Sequence, residues 1–277
     1  MNANSEEFQK DVNDLISNYI TNLKEEVCYR LKHWKFVKSD SVSYNVIQGL
    51  LARQASITID LIKVPVIWNE NILPSVLRSM IDLYISMAWI FEKDSNQRAE
   101  KYIEYGLGQE KMLREYRARE LEAKGDDVDN DPVIKSSDII INCTLKDELL
   151  NINLGNWSNL SVRKMAEEAG CLDFYNLTYI PFSISAHNSW THLFRFNLKL
   201  CNNPLHGTHY VGKINEDTPD FIHYLNLITK YMKKTLALFD ENIKIDLSEI
   251  KDAYEVLWND FDNLVSKLDK KGSETVR

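Results

Sequence analysis

The chain has 277 residues, with 33 Lys and Arg against 41 Asp and Glu, so it carries a net charge of −8 on a background that is 44% hydrophobic. That apolar content over this length builds a sizeable core without a disulfide or structural metal, which excludes a disordered chain and a miniature scaffold. Only 9 Gly and 6 Pro leave too few turn residues for a many-stranded sheet, so the expected class is an all-α bundle of about eight to nine helices with no significant sheet.

Phe8, Val12, Leu15, Ile16, Tyr19, Ile20, Leu23, Val27, Leu31 and Trp34 recur at steps of three and four with charges between them, the pattern of one long amphipathic helix. Asp40 and Ser41 offer an N-cap for a second helix running to Val64, where Pro65 forbids continuation. Asn71 caps a third, with Pro74 in its first turn and Leu77, Met80, Ile81, Tyr84, Met87 and Ala88 on its buried face. Asp94 or Ser95 opens a fourth that continues to Ala123, dense in Glu, Lys and Arg at helical pairing distances.

Residues 125–137 read as a polar, acidic linker, and the chain is expected to be one all-α domain, or two helical halves, 1–124 and 138–277, joined there. Asp138 to Asn151 reads as a short helix, and Asn153 to Leu160 as a loop. Ser161 caps a helix that Gly170 ends. From Asp173 an apolar, aromatic segment reads as helix to Cys201, kinked or restarted at Pro181. A loop, Asn202 to Glu216, follows. Thr218 and Pro219 open a helix to Asn242, and Ser248 opens the last, to Lys270.

The N-terminus has no basic segment followed by an apolar run, and the longest apolar stretch, Ile85 to Phe91, is far below a membrane span. The protein is therefore expected in the cytoplasm, with no membrane partner. Cys28, Cys143, Cys171 and Cys201 are widely spaced, which fits reduced thiols in a core rather than a disulfide frame. The acidic balance argues against broad non-specific DNA binding.

Several motifs reduce to ordinary structure. Asp127, Asp129, Asp131 and Asp138 have calcium-loop spacing, but Pro132 stands where the loop requires glycine. Ser161 to Gly170 resembles the start of a helix-turn-helix, but the apolar CLDFYNLTYIPF after it cannot grip phosphates. His206 and His209 lie in a loop without acidic or thiol neighbours, and His187 and His192 are five apart, so no metal site and no cofactor are expected. No nucleophile elbow, P-loop or dinucleotide fingerprint occurs.

Two features carry chemistry. Tyr179, Ser183 and His187 are spaced four apart, so on a continuous helix they form one polar ridge in an apolar segment. The bland alternative is a hydrogen-bonded core histidine. Arg78 stands four residues before Asp82 in the most apolar helix, as an intrahelical ion pair or as two charges reaching a shared polar site.

At these residues the sequence resembles a bacterial family known as domain of unknown function 5677. The matching pattern is Arg-x3-acid in an apolar helix (Arg78, Asp82), aromatics on the next (Tyr102, Tyr105), a Trp ahead of a short helix (Trp157, Arg163) and Tyr-x3-Ser-x3-His (Tyr179, Ser183, His187). The family's acid is more often Glu than Asp. The resemblance implies an all-helical intracellular protein and no known activity. A weaker similarity is to the helical HEPN ribonucleases of toxin and phage-defence systems, whose Arg-x4–6-His signature is absent here, since ten residues and Pro204 separate Arg195 from His206.

These readings converge on a polar pocket lined by Arg78, Asp82, Tyr102, Tyr105, Trp157, Tyr179, Ser183 and His187 that binds a small anionic or nucleotide-like ligand. An enzymatic version cleaves RNA without metal, with His187 as general acid or base, Arg78 stabilising the phosphorane and Asp82 beside it. A third version is an interaction module whose terminal helices, Ser5 to Trp34 and Ser248 to Lys270, pack on a partner or a second copy, making a homo-oligomer.

Overall fold

The structure, a computed structural model, describes residues 3–144, 155–216 and 221–274. It is predominantly helical, as composition requires. In chain order the helices are α1 (Ala3–His33), α2 (Ser41–Lys63), α3 (Leu73–Glu92), α4 (Ser95–Lys124), α5 (Pro132–Thr144), α6 (Val162–Glu168), α7 (Leu172–Phe174), α8 (Ile180–Ala186), α9 (Trp190–Phe196), α10 (Phe221–Asn242) and α11 (Ala253–Glu274). The chain divides into two compact units, one made of 1–35, 48–84 and 173–277 and the other of 36–47 and 85–172. The acidic stretch 125–137 lies wholly inside the second unit.

In the first unit, α1 buries Leu15, Tyr19, Leu23 and Val27 along one stripe, the i, i+4 face that the sequence marks. The same stripe continues through Glu26 and Arg30, both buried. Arg30 donates from Nε and Nη2 to the two oxygens of Asp240 on α10, each at 2.7 Å, and its Nη1 lies 3.1 Å from Glu26. Glu26 also accepts from the backbone N–H of Ala253, the first residue of α11, at 3.2 Å. Asn18 of α1 donates to Asp260 of α11. The terminal helices thus pack on each other.

Pro65 ends α2 as expected and opens a short 3-10 turn, Pro65–Ile67, which leaves the Trp68 ring fully buried with its indole N–H donating to the Leu61 carbonyl. Gln54 on α2 donates to the Met80 carbonyl of α3 and to Thr235 on α10, so a buried amide pins three helices. On α3 every residue from Leu83 to Ile90 is buried, the signature of a helix apolar all round.

In the second unit, α4 and α5 form an antiparallel-type pairing through Leu107, Ile141 and Ile103. The acidic stretch is shorter than the sequence suggests because Asp131 caps α5, its Oδ1 accepting from the N–H groups of Val133 and Ile134 while Oδ2 binds Arg117. Asp138 pairs with Arg114. Of the calcium-loop carboxylates, Asp131 is thus committed to a cap and an ion pair, Asp138 to an ion pair, and Asp127 to hydrogen bonds from Asn130. The expected end of this helix at Asn151 and the opening at Thr218 and Pro219 lie outside the described residues.

Three boundaries differ from expectation. The helical run from Asp173 does not reach Cys201: it breaks at Asn188, which takes a left-handed φ of 49°, and stops at Phe196. A small hairpin follows: β1 (Leu198–Leu200), where the helix was expected to continue, pairs antiparallel with β2 (Tyr210–Gly212), inside the expected loop. The last helix starts at Ala253 rather than Ser248 because Asp252 caps it, accepting from the N–H of Glu255. Cys28 is exposed on α1 rather than held in a core. No helix among the described residues is long and apolar enough to cross a membrane.

Candidate functional site

The Tyr-x3-Ser-x3-His segment is built around Pro181. A proline inside a helix has no N–H to give and its ring collides with the carbonyl four residues back. Here the backbone answers with a π turn over Tyr175–Tyr179, closed by the Ile180 N–H on the Tyr175 carbonyl, so that Pro181 falls in the first turn of α8. The widened turn stacks Tyr175 on Tyr179, ring centroids 4.8 Å apart. Tyr175 is the site-adjacent aromatic that sequence reasoning missed, although its four-residue spacing from Tyr179 was the available signal.

Arg78 reaches this segment from α3. Its Nη2 donates to the Tyr179 hydroxyl at 2.7 Å and its Nη1 to His187 Nε2 at 2.8 Å, and the guanidinium lies over the Tyr179 ring. A guanidinium can only donate, so Nε2 of His187 must offer its lone pair and the ring proton sits on Nδ1. The third donor, Arg78 Nε, is buried without a hydrogen-bond partner, and the nearest carboxylate oxygen, Asp82 Oδ2, stands 3.9 Å away.

Asp82 sits beside this pair, where Arg78 and the Tyr179 hydroxyl both favour its charged form. Loss of water around its carboxyl pushes it up to about 6, against the opposing pull of Arg78 and of the Tyr179 hydrogen bond. Burial likewise raises the Tyr179 phenol, despite the opposing hydrogen bond from Arg78. Ser183 spends its one proton on the Tyr179 carbonyl at 2.7 Å, which leaves it able only to accept. Arg78, Asp82, Tyr179, Ser183 and His187 are therefore gathered in the first unit.

Tyr102, Tyr105 and Trp157 belong to the second unit. There Trp157 packs edge-on against Tyr102 and against Trp89, with centroids 5.0 and 5.3 Å apart. Burial raises the Tyr102 phenol, and Tyr105 lies half-buried nearly one turn along α4. Trp89 also donates its indole N–H to Glu168 at 2.8 Å and lies under the Arg98 guanidinium at 3.9 Å. Arg98 is held by Glu92, Glu168 and the Trp89 carbonyl. Within this cluster the Trp89 indole, the Arg98 guanidinium and the Glu168 carboxylate are bound to one another.

A second group of chemistry-bearing side chains went unseen in the sequence. The hairpin folds Cys201 back onto the His206 and His209 loop, so the thiol judged missing from that loop is supplied by the strand before it. The three ligand-type atoms lie within 4.8 Å of one another.

No curated protein and no solved structure matches this chain. A family of unknown function, DUF5677, matches residues 44–204. That segment includes Arg78, Asp82, Tyr179, Ser183 and His187 and stops before His206. The match spans more than half of the sequence, and on that ground the chain belongs to the DUF5677 family.

Proposed function

We propose that this protein binds a small phosphate-bearing, nucleotide-like anion at Arg78. The observation that carries the reading is the identity of the groups that fix the guanidinium. Tyr179 and His187 are both neutral partners, so the hydrogen bonds that orient Arg78 add no counter-charge, and the Asp82 carboxylate pairs with it only at 3.9 Å, beyond hydrogen-bond reach. The side of Arg78 facing His187 is exposed, which gives a ligand access. The stacked Tyr175 and Tyr179 rings supply an aromatic surface beside it.

Binding is favoured over metal-independent RNA cleavage because the lone pair a general base needs is engaged by Arg78. Calorimetric titration of sulfate and of a nucleoside diphosphate into the full chain tests the proposal. Arg78→Ala weakens both by about tenfold or more, the loss of a charge-assisted hydrogen bond worth ~1.5–3 kcal/mol, while Arg163→Ala, exposed on α6, leaves them unchanged. Equal affinity in wild type and Arg78→Ala overturns it. Cleavage of total RNA that His187→Ala abolishes would replace binding with catalysis.

A further inference from the structure

The geometry points to a metal site at Cys201, His206 and His209, and we propose that it takes Zn²⁺ with water in the fourth position. The hairpin builds it. Beyond the paired residues Leu200 and Tyr210, the Cys201 N–H donates to the His209 carbonyl at 2.9 Å, which makes Cys201 and His209 cross-strand neighbours. A 3-10 turn, Pro204–His206, then brings His206 back over the hairpin end, and Gly207, at φ 57° and ψ −114°, turns the chain between the two histidines. Its backbone conformation is one that L side chains rarely adopt.

Two of the three edges are those of a coordination shell, and the third, between Cys201 and His209, is bounded at 4.8 Å and closes toward about 3.55 Å when the ion binds. Cys201 Sγ lies 3.5 Å from His206 Nδ1, and His206 Nδ1 lies 3.3 Å from His209 Nδ1. Around a tetrahedral zinc with Zn–S near ~2.3 Å and Zn–N near ~2.05 Å, the S···N and N···N edges come to about 3.55 and about 3.35 Å. Without a metal the grouping is poorly matched, because His206 Nδ1 has one proton at most to satisfy both the thiol and the second imidazole. A cation accepts all three lone pairs at once.

The ligand set, one thiolate and two imidazoles, suits zinc over the hard cations that prefer oxygen. Among the described residues no further His, Cys, Asp or Glu joins the group, so the fourth position is water, as in zinc sites with three protein ligands. Binding converts the Cys201 thiol to thiolate with release of one proton to solvent. Coordination through His206 Nδ1 also moves the ring proton to Nε2, which faces the Asn203 amide nitrogen at 2.9 Å. The Asn203 amide must then turn its oxygen to Nε2 and release the Leu205 N–H it now accepts from. Leu205 is 93% exposed, so water replaces that bond.

The experiment is a titration of Co²⁺, then Zn²⁺, into the full chain after chelator treatment. One equivalent of Co²⁺ gives the intense visible bands of a four-coordinate ion and a thiolate-to-cobalt charge-transfer band, and Zn²⁺ displaces both. Cys201→Ser loses the charge-transfer band, and Cys201→Ser and His209→Ala each weaken Zn²⁺ by about 100-fold or more, beyond the 10–100-fold that outer-shell losses cost. His33→Ala, on α1, changes nothing. Circular dichroism confirms that the hairpin variants keep the helical fold. A six-coordinate cobalt spectrum without the thiolate band, or zinc affinity that is the same in Cys201→Ser, overturns the proposal.

Discussion

A guanidinium fixed by a phenol and an imidazole keeps its charge available, and the same unit shows the opposite case. Arg30 is 5% exposed on its side chain and is hydrogen-bonded and ion-paired by two carboxylates at 2.7–3.1 Å, whereas Arg78 is 20% exposed, hydrogen-bonded only by neutral atoms, and loosely ion-paired with Asp82 at 3.9 Å. The carboxyl beside Arg78 carries a pH signature. Asp82, pushed up to about 6 by desolvation, binds its proton more tightly folded than unfolded, so its contribution to stability is fully present below its ordinary range and lost as pH rises through about 6. Asp82→Asn therefore flattens the pH dependence of urea unfolding between about pH 4 and about pH 7. Because the side chain is 41% exposed, screening holds the effect to about 1 kcal/mol or less. An unchanged pH profile in the variant would contradict the environment assigned to this carboxyl. The ridge of Tyr179, Ser183 and His187 and the pair Arg78 and Asp82 were legible because helical spacing alone places them. That the two sets meet was not, since it depends on how α3 crosses a segment about a hundred residues later.

At the scale of elements, the instructive one is the π turn before α8. The sequence marks a disturbance at Pro181 but not its form, because a kink, a restart and an inserted residue all relieve the same clash. The inserted residue has a consequence for the site: it sets the rotation of Tyr175 and Tyr179 relative to Ser183 and His187. Pro181→Ala restores a donor for the carbonyl four residues back and lets the turn relax to α, which rotates the two tyrosines by about 100° relative to His187. The expected outcome is a thermal midpoint equal to or above wild type together with sulfate affinity reduced about tenfold. Unaltered affinity would separate the π turn from the site. The hairpin escaped sequence reasoning for a related reason. Strands of three residues carry too little alternation to register, and the thiol and two imidazoles become neighbours only when the strands pair.

For the molecule as a whole, the helical class followed from composition and periodicity, while the division into units did not. Each unit is assembled from segments far apart in the chain, and a polar stretch that looks like a hinge proves to be a capped turn between two paired helices. The family segment, residues 44–204, covers the Arg78 group and not the ion cluster that joins α1, α10 and α11. That cluster has a structural role that can be measured. Arg30→Ala leaves Glu26 and Asp240 without their cation, and burial already raises Glu26 despite Arg30. The expected cost is about 3–5 kcal/mol in urea unfolding at neutral pH, with no change in sulfate affinity for the fraction that remains folded. A loss under about 1 kcal/mol would mean the cluster is solvated rather than closed.

The Arg78 and His187 contact sets the geometry of the site, and the ring nitrogens of His187 report on it most directly. In ¹⁵N spectra of selectively labelled protein near neutral pH, Nδ1 is the protonated nitrogen and Nε2 the acceptor, Arg78→Ala removes that bias, and sulfate shifts both resonances in wild type alone. A His187 spectrum indifferent to Arg78→Ala and to sulfate would contradict that geometry.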